Sequence, residues 1–184
     1  HVYCVHIADT AVSHPGGSNI FFVGDPGSRM VIVDTGEQDS DWTRQILEGY
    51  VELGRPSITA IVITHGHGDH IGGLDRVFEV VRAPVRCHPK LVKKLAAVEG
   101  QENHVKLLAE ERIGIGGNAF LRAIFTPGHE EDHVCYYLSR DKVLFSGDTV
   151  LGGSSSTVRD LADYMKSQEK LRRLKVEVNC PSHG

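Results

Sequence analysis

The apolar run Ile58–Thr64, "ITAIVIT", leads without a break into "HGHGDH", which packs three histidines and an aspartate into residues 65–70. A β-branched run of this kind reads as a buried strand, so the donor-rich turn starts from a fixed strand end. Imidazole and carboxylate are ready ligands for a divalent ion such as zinc. Gly66 and Gly68 are expected to let the backbone turn tightly and aim their neighbours at one point. Alternation sends His65 and His67 toward one ion and leaves Asp69 and His70 for a second position. One turn cannot fill two metal positions, and further donors stand in the same surroundings elsewhere. His129 follows the strand-like Phe120–Thr126, Asp148 follows Val143–Ser146 and His183 follows Val176–Cys180, each with a glycine beside it. A fold that uses all of them must bring four strand ends to one edge.

The rest of the chain supplies the strands and helices. Strands are expected at Val2–Ala8, Asn19–Val23 and Met30–Asp34, the last two joined into a hairpin by "GDPG", Gly24–Gly27. A helix over Asp41–Leu53 has Asp39, Ser40 and Asp41 as candidate caps and Gly54 as its stop. Trp42 is expected to pack that helix on a sheet. Further helices are expected over Leu74–Val80, Pro89–Val98, Gln101–Arg112 and Thr157–Leu174, with "GIGGN", Gly114–Asn118, as a break. Leu161, Tyr164, Met165 and Leu171 are the expected apolar positions of the last one. Short strands at Val85–His88 and His133–Leu138 complete the set. Helices interspersed among strands, with no repeat or linker, give an α/β chain with helices outside packed sheets.

A chain of 184 residues suits one domain with a real core. No apolar run approaches the roughly 20 residues that span a bilayer, so no membrane is expected. The net charge of −4 argues against indiscriminate nucleic-acid binding. Cys4, Cys87, Cys135 and Cys180 form no CxxC pair. The last three lie in or beside apolar runs and read as buried free thiols, which fits a cytoplasmic setting. The chain starts at His1, so the lack of a visible secretory signal carries no weight.

Taken together these segments resemble the metallo-β-lactamase fold superfamily. "THGHGDH", "TPGH", "GDT" and the final "HG" stand in that family's order, and "VDTG", Val33–Gly36, with the hairpin before it matches its usual start. The resemblance implies an α/β four-layer αββα sandwich, two sheets between outer helices, with the metals at one edge. It implies that His65, His67 and His129 hold a first metal, Asp69, His70 and His183 a second, and that Asp148 bridges both. Asp34 takes the place of an aspartate that orients ligands, and His133 a place near the site that binds no metal. Members that destroy β-lactams usually carry Cys or Ser where Asp148 stands, so Asp148 favours the glyoxalase II-like and β-lactamase-like protein 2 branches. "FSGDTVLGGSSSTVRDLADYMKS", Phe145–Ser167, is similar to the latter branch, which includes a soluble endoribonuclease. It is also similar to thioesterases that release polyketides from acyl carrier proteins. Relatives continue past the position of Gly184, so residues 1–184 read as a single domain lacking its C-terminal continuation. The loop Ser13–Asn19 also departs from the longer one the family has there.

The activity implied is that of a dinuclear zinc-dependent hydrolase using a metal-bridging hydroxide, with Asp69 as the catalytic residue that orients the water and carries a proton. The substrate is a small-molecule thioester or other acyl compound, or a phosphodiester such as single-stranded RNA. β-Lactam hydrolysis is an alternative, as main or side activity. A persulfide dioxygenase-like oxidoreductase with one Fe2+ is another, and the full ligand set argues instead for two Zn2+. Flavin-linked diiron members carry Glu where His67 stands, and an intact ligand set argues against a non-catalytic scaffold. His6, His14, His88 and His104 read as structural. Lys166–Lys175 reads as a solvated helix face, and Ser154–Ser156 as a solvated loop rather than a lining of the substrate mouth. Nothing in the pattern fixes the oligomeric state.

Overall fold

The computed structural model describes residues 1–9, 16–95 and 104–184, with only the backbone given for His104 and Val105. In chain order the elements are β1 (Val2–Ile7), β2 (Ser18–Gly24), β3 (Arg29–Val33), α1 (Ser40–Glu52), β4 (Ser57–Val62), α2 (Gly68–Ile71), α3 (Leu74–Val81), β5 (Val85–Cys87) and α4 (Val92–Leu95). They continue as β6 (His104–Lys106), β7 (Arg112–Gly116), β8 (Ala119–Phe125), β9 (Val134–Leu138), β10 (Val143–Gly147), α5 (Leu161–Arg172) and β11 (Val178–Pro181). One sheet runs β1-β2-β3-β4-β5-β6 and the other β11-β10-β9-β8-β7.

Period-2 alternation along the strands builds the layers. In β2 and β3, Phe21, Val23, Val31 and Val33 share one buried cluster with Leu121, Ala123, Tyr136 and Phe145 of the other sheet. The intervening Ile20, Phe22, Met30 and Ile32 join Ile46 of α1 and Leu74 and Val77 of α3 on the outer side. The second sheet does the same. Its outward Ile124, Cys135, Tyr137 and Leu144 pack with Leu171 of α5. Each sheet is therefore apolar on both faces, and helices cover the outer ones, giving the expected αββα sandwich.

Strand direction carries the sheets' ends to one place. β3 and β4 are parallel. β8 and β10 are each antiparallel to β9, and β10 is parallel to β11. The C-terminal ends of β8, β10 and β11 thus share one edge of their sheet. The backbone bridge between Ser18 and His183 joins the two sheets there.

The hairpin forms as β2 and β3 in antiparallel register. Of the three candidate caps, Asp39 is the one that caps α1, its side chain accepting from the amides of Asp41 and Trp42. Four expectations need correction. The helix expected over Gln101–Arg112 is absent from the described part, where His104–Lys106 pairs with β5 and Arg112 opens β7; residues 101–103 lie outside the described residues. Strand partners on both sides override the helical propensity of the intervening acidic run. "GIGGN" is not a break but the end of β7 and its turn into β8. The helix expected over Pro89–Val98 starts only at Val92 and runs to Leu95 within the described residues; residues 96–98 lie outside them, as do residues 13–15 of the Ser13–Asn19 loop, His14 among them. Last, α5 starts at Leu161 because Asp160 caps it, and its buried positions differ from those expected. Leu161 and Met165 are 68% and 60% exposed, while Ser167 and Leu171 are buried.

Candidate metal centre

Asp34 and every donor lie just past the C-terminal end of a strand: Asp34 after β3, the His65–His70 turn after β4, His129 after β8, Asp148 after β10 and His183 after β11. The turn is more ordered than expected. His67 is the cap residue of α2, and the helix carries Asp69 and His70. Neither Gly66 nor Gly68 has a positive φ. A Cβ at Gly66 would stand 2.6 Å from Leu91 Cδ1 and 2.9 Å from Asp132 Oδ2, so those side-chain tips would have to shift to admit it.

Two donor groups result. One atom each from His65, His67, His129 and Asp148 lie within 4.8 Å of one another, and so do atoms of Asp69, His70 and His183. Asp148 faces both. Its Oδ2 is 3.6 Å from His129 Nε2 and 3.9 Å from His65 Nε2. Its Oδ1 is 3.4 Å from His183 Nε2 and 3.5 Å from His70 Nε2. Asp69 Oδ2 lies 3.1 Å from His183 Nε2 and 3.3 Å from His70 Nε2.

Four of the imidazoles are held by the far nitrogen. His70 Nδ1 meets Asp34 Oδ2 at 2.8 Å. His129 Nδ1 donates to the Thr157 carbonyl at 2.8 Å. Thr64 Oγ1 donates its one proton to Asp34 Oδ2 at 2.7 Å, so it accepts from His65 Nδ1 at 3.1 Å. His183 Nδ1 meets Ser18 Oγ at 3.0 Å. These partners place the proton on Nδ1 and the lone pair of neutral Nε2 inward, as metal ligation demands. His67 is reversed: its Nδ1 lies 2.9 Å from His65 Nε2, while its Nε2 meets Glu130 Oε1 at 2.5 Å.

His133 is in neither donor group and supports Asp148. Its Nε2 accepts from the Asp148 amide at 3.1 Å, and its Nδ1 meets Thr126 Oγ1 at 2.8 Å. Burial, with the neighbouring imidazole of His129, pushes its pKa down to about 3. Burial opposes charge on His183, yet the Asp148 and Asp69 carboxylates beside its Nε2 hold it up at about 9, and a bound cation would displace that proton. Burial likewise disfavours the Asp148 anion, but His70, His183 and His129 hold its carboxyl well below the usual range.

The donors fit a divalent cation. His70 Nε2 and Asp148 Oδ1 are buried without a hydrogen-bond partner among the described residues and point at the same space. Leaving such atoms unpaired is costly, and a shared cation would satisfy both. All nine residues singled out in the sequence meet at this edge. Ser156 Oγ reaches within 3.4 Å of His129 Nδ1, whereas Ser154 and Ser155 are exposed. The partners Thr64, Ser18, Glu130 and the Thr157 carbonyl are not among the residues the sequence singles out. Thr64 and Glu130 each stand next to a residue of a donor group, while Ser18 and the Thr157 carbonyl carry no sequence signal.

Comparison with known proteins agrees with this architecture. The family description for the metallo-beta-lactamase superfamily matches residues 14–183. The chain belongs to that superfamily. It is 32% identical to an atrochrysone carboxyl ACP thioesterase from Aspergillus fumigatus, over 91% of this chain and 51% of that protein. It is 34% identical to a beta-lactamase-like protein 2 homolog from Caenorhabditis elegans, over 91% of this chain and 56% of the relative. The chain therefore spans about half the length of the curated relatives it matches. A metallo-beta-lactamase family protein from Thermus thermophilus has the same fold, with a TM-score of 0.80 at 23% identity, covering 100% of this chain and 73% of that one.

Proposed function

We propose that the protein is a metal-dependent hydrolase that holds two zinc ions and cleaves acyl thioesters, with residues 1–184 as one catalytic domain. The observation that carries this reading is Asp148, whose two oxygens face two separate donor groups. His65, His67 and His129 hold one ion, Asp69, His70 and His183 the other, and Asp148 serves both. Seven donors are too many for a single ion of four to six ligands, which weighs against one Fe2+. Zinc supplies Lewis acidity and a water acidified to near neutral pH.

The chain's own residues do the rest. Asp34, Thr64, the Thr157 carbonyl and Ser18 hold four imidazoles with Nε2 inward. Asp69 orients the attacking water and carries its proton toward the leaving group. A thiol leaving group with a pKa of about 8.5 departs as thiolate with little help from an acid, so one carboxylate suffices.

Relatives named as thioesterases favour an acyl substrate over RNA. β-Lactam cleavage is at most a side activity in this reading.

The test is reconstitution of metal-stripped protein, with metal content and turnover measured against acyl thioesters, single-stranded RNA, phosphodiesters and β-lactams. About two zinc per chain with thioester cleavage is expected. One iron per chain with sulfur-dependent oxygen uptake would sink it, and so would RNA cleavage in the absence of thioester cleavage.

A further inference from the structure

His67 is the least secured of the five imidazoles around the centre. Its side chain is 34% exposed, while those of His65, His70, His129 and His183 are 7% exposed or less. It caps the four-residue α2 without a side-chain hydrogen bond to the backbone. Among the described residues, only its Nε2 is tied to something beyond the donor group, and the tie is to Glu130 Oε1 at 2.5 Å. Glu130 is itself 13% exposed, and the same oxygen accepts from Arg159 Nε at 2.8 Å. Arg159 stands just before α5, and its backbone amide is anchored on the Gly128 carbonyl at 2.8 Å. A chain of contacts therefore runs from the α5 approach, through Glu130, to His67.

We infer that Glu130 is a positioning residue: it fixes the His67 ring with Nδ1 toward the donor group, and Arg159 fixes Glu130. This rests on the dinuclear reading above. The chemistry is that of an acceptor on the outer nitrogen of a metal-binding imidazole, which sets the tautomer and raises basicity at the other nitrogen. Glu130 joins the connection between β8 and β9 to the turn after β4. It couples His67 to the segment that supplies His129, one residue away. His129 Nε2 lies 3.3 Å from His67 Nδ1, so loss of the ring's orientation would open the first donor group directly.

The test is zinc affinity by competition with a chromophoric chelator, in wild type, Glu130→Ala, Glu130→Gln, His67→Ala and the double variant His67→Ala/Glu130→Ala. Glu130→Ala is expected to weaken one of the two zinc sites by about 10–100-fold. Glu130→Gln is expected to recover most of that, because its amide oxygen still accepts from His67 Nε2–H. The double variant is expected to be no weaker than His67→Ala, as for residues acting through one another. Wild-type affinity in Glu130→Ala overturns the inference, and so does full additivity in the double variant. A measurement on the unaltered zinc protein avoids dependence on folding of the variants: the Nε2–H proton of His67 should give a sharp hydrogen-bonded imidazole resonance, and its absence overturns the inference. If wild type binds no zinc, the dinuclear reading falls first. If it binds two zinc ions and Glu130→Ala binds them equally, only the role of Glu130 falls.

Discussion

Asp34 Oδ2 stands 2.8 Å from His70 Nδ1, and both side chains are buried. Asp34 holds a left-handed backbone with φ 62°, which Asp tolerates better than most residues. It accepts at once from His70, from the Thr64 amide and from Thr64 Oγ1. All three partners are donors, so only an acceptor fits.

Asp34→Asn should therefore be damaging although it keeps shape and backbone. One amide face would turn an N–H toward donors. The expected cost is about 1–3 kcal/mol of stability and about 10–100-fold in zinc affinity. Chemical unfolding and chelator competition measure the two. Unchanged zinc affinity would show that His70 is held without Asp34.

Gly147→Ala tests the strand end that delivers Asp148. Gly147 has φ 53°, and a Cβ would fall 2.6 Å from His133 Nε2, the atom that accepts from the Asp148 amide. The variant should lose about 2–4 kcal/mol of stability, from strain and overpacking together. It should also lose zinc, because His133 and Asp148 cannot keep their places. A thermal unfolding midpoint and the metal content check both.

The four thiols should separate by pH and exposure. Burial pushes Cys87 and Cys135 up to about 12 and half-buried Cys180 to about 11; partial burial of its thiol raises Cys4 too, but Cys4 is the exposed one of the four. At pH 8 the thiolate fraction of a group at about 12 is on the order of 10⁻⁴. A disulfide reagent should label Cys4 first, Cys180 slowly, and Cys87 and Cys135 only on unfolding. The sign for stability follows. The folded state keeps these protons where the unfolded chain has lost them, so stability should fall as pH rises from about 8.5 toward 12. Equal labelling of all four in the native protein would contradict this.

The sequence carried the edge of the molecule better than its middle. Each donor segment follows an apolar strand and contains a glycine, a local signature that survives without tertiary information. The β6–β7 region lacks one. His104–Lys106 is only three residues long and takes its conformation from β5, so the acidic run beside it reads as helix. Leu161 and Met165 mislead in the opposite sense, since helical spacing cannot say which apolar positions meet a sheet. Glu130 and Ser18 are invisible in the sequence because their roles exist only across the fold. Each meets a histidine distant in sequence, and even the adjacency of Glu130 to His129 does not say that it reaches His67.

Asp148→Asn isolates the sharing of one carboxylate between two donor groups. Its two oxygens now serve His129 and His65 on one side, and His183 and His70 on the other. Asparagine keeps the size and one carbonyl oxygen but offers an amide nitrogen to the second group. An amide nitrogen does not ligate zinc, so one side keeps its ion and the other loses both a ligand and a negative charge. Zinc content should fall from about two per chain to about one, and thioester turnover should fall by at least about 100-fold. Asp148→Ala should remove more of the metal while circular dichroism still reports the sandwich, since the side chain contributes nothing to the apolar clusters. Two zinc ions retained in Asp148→Asn would mean that the carboxylate does not bridge.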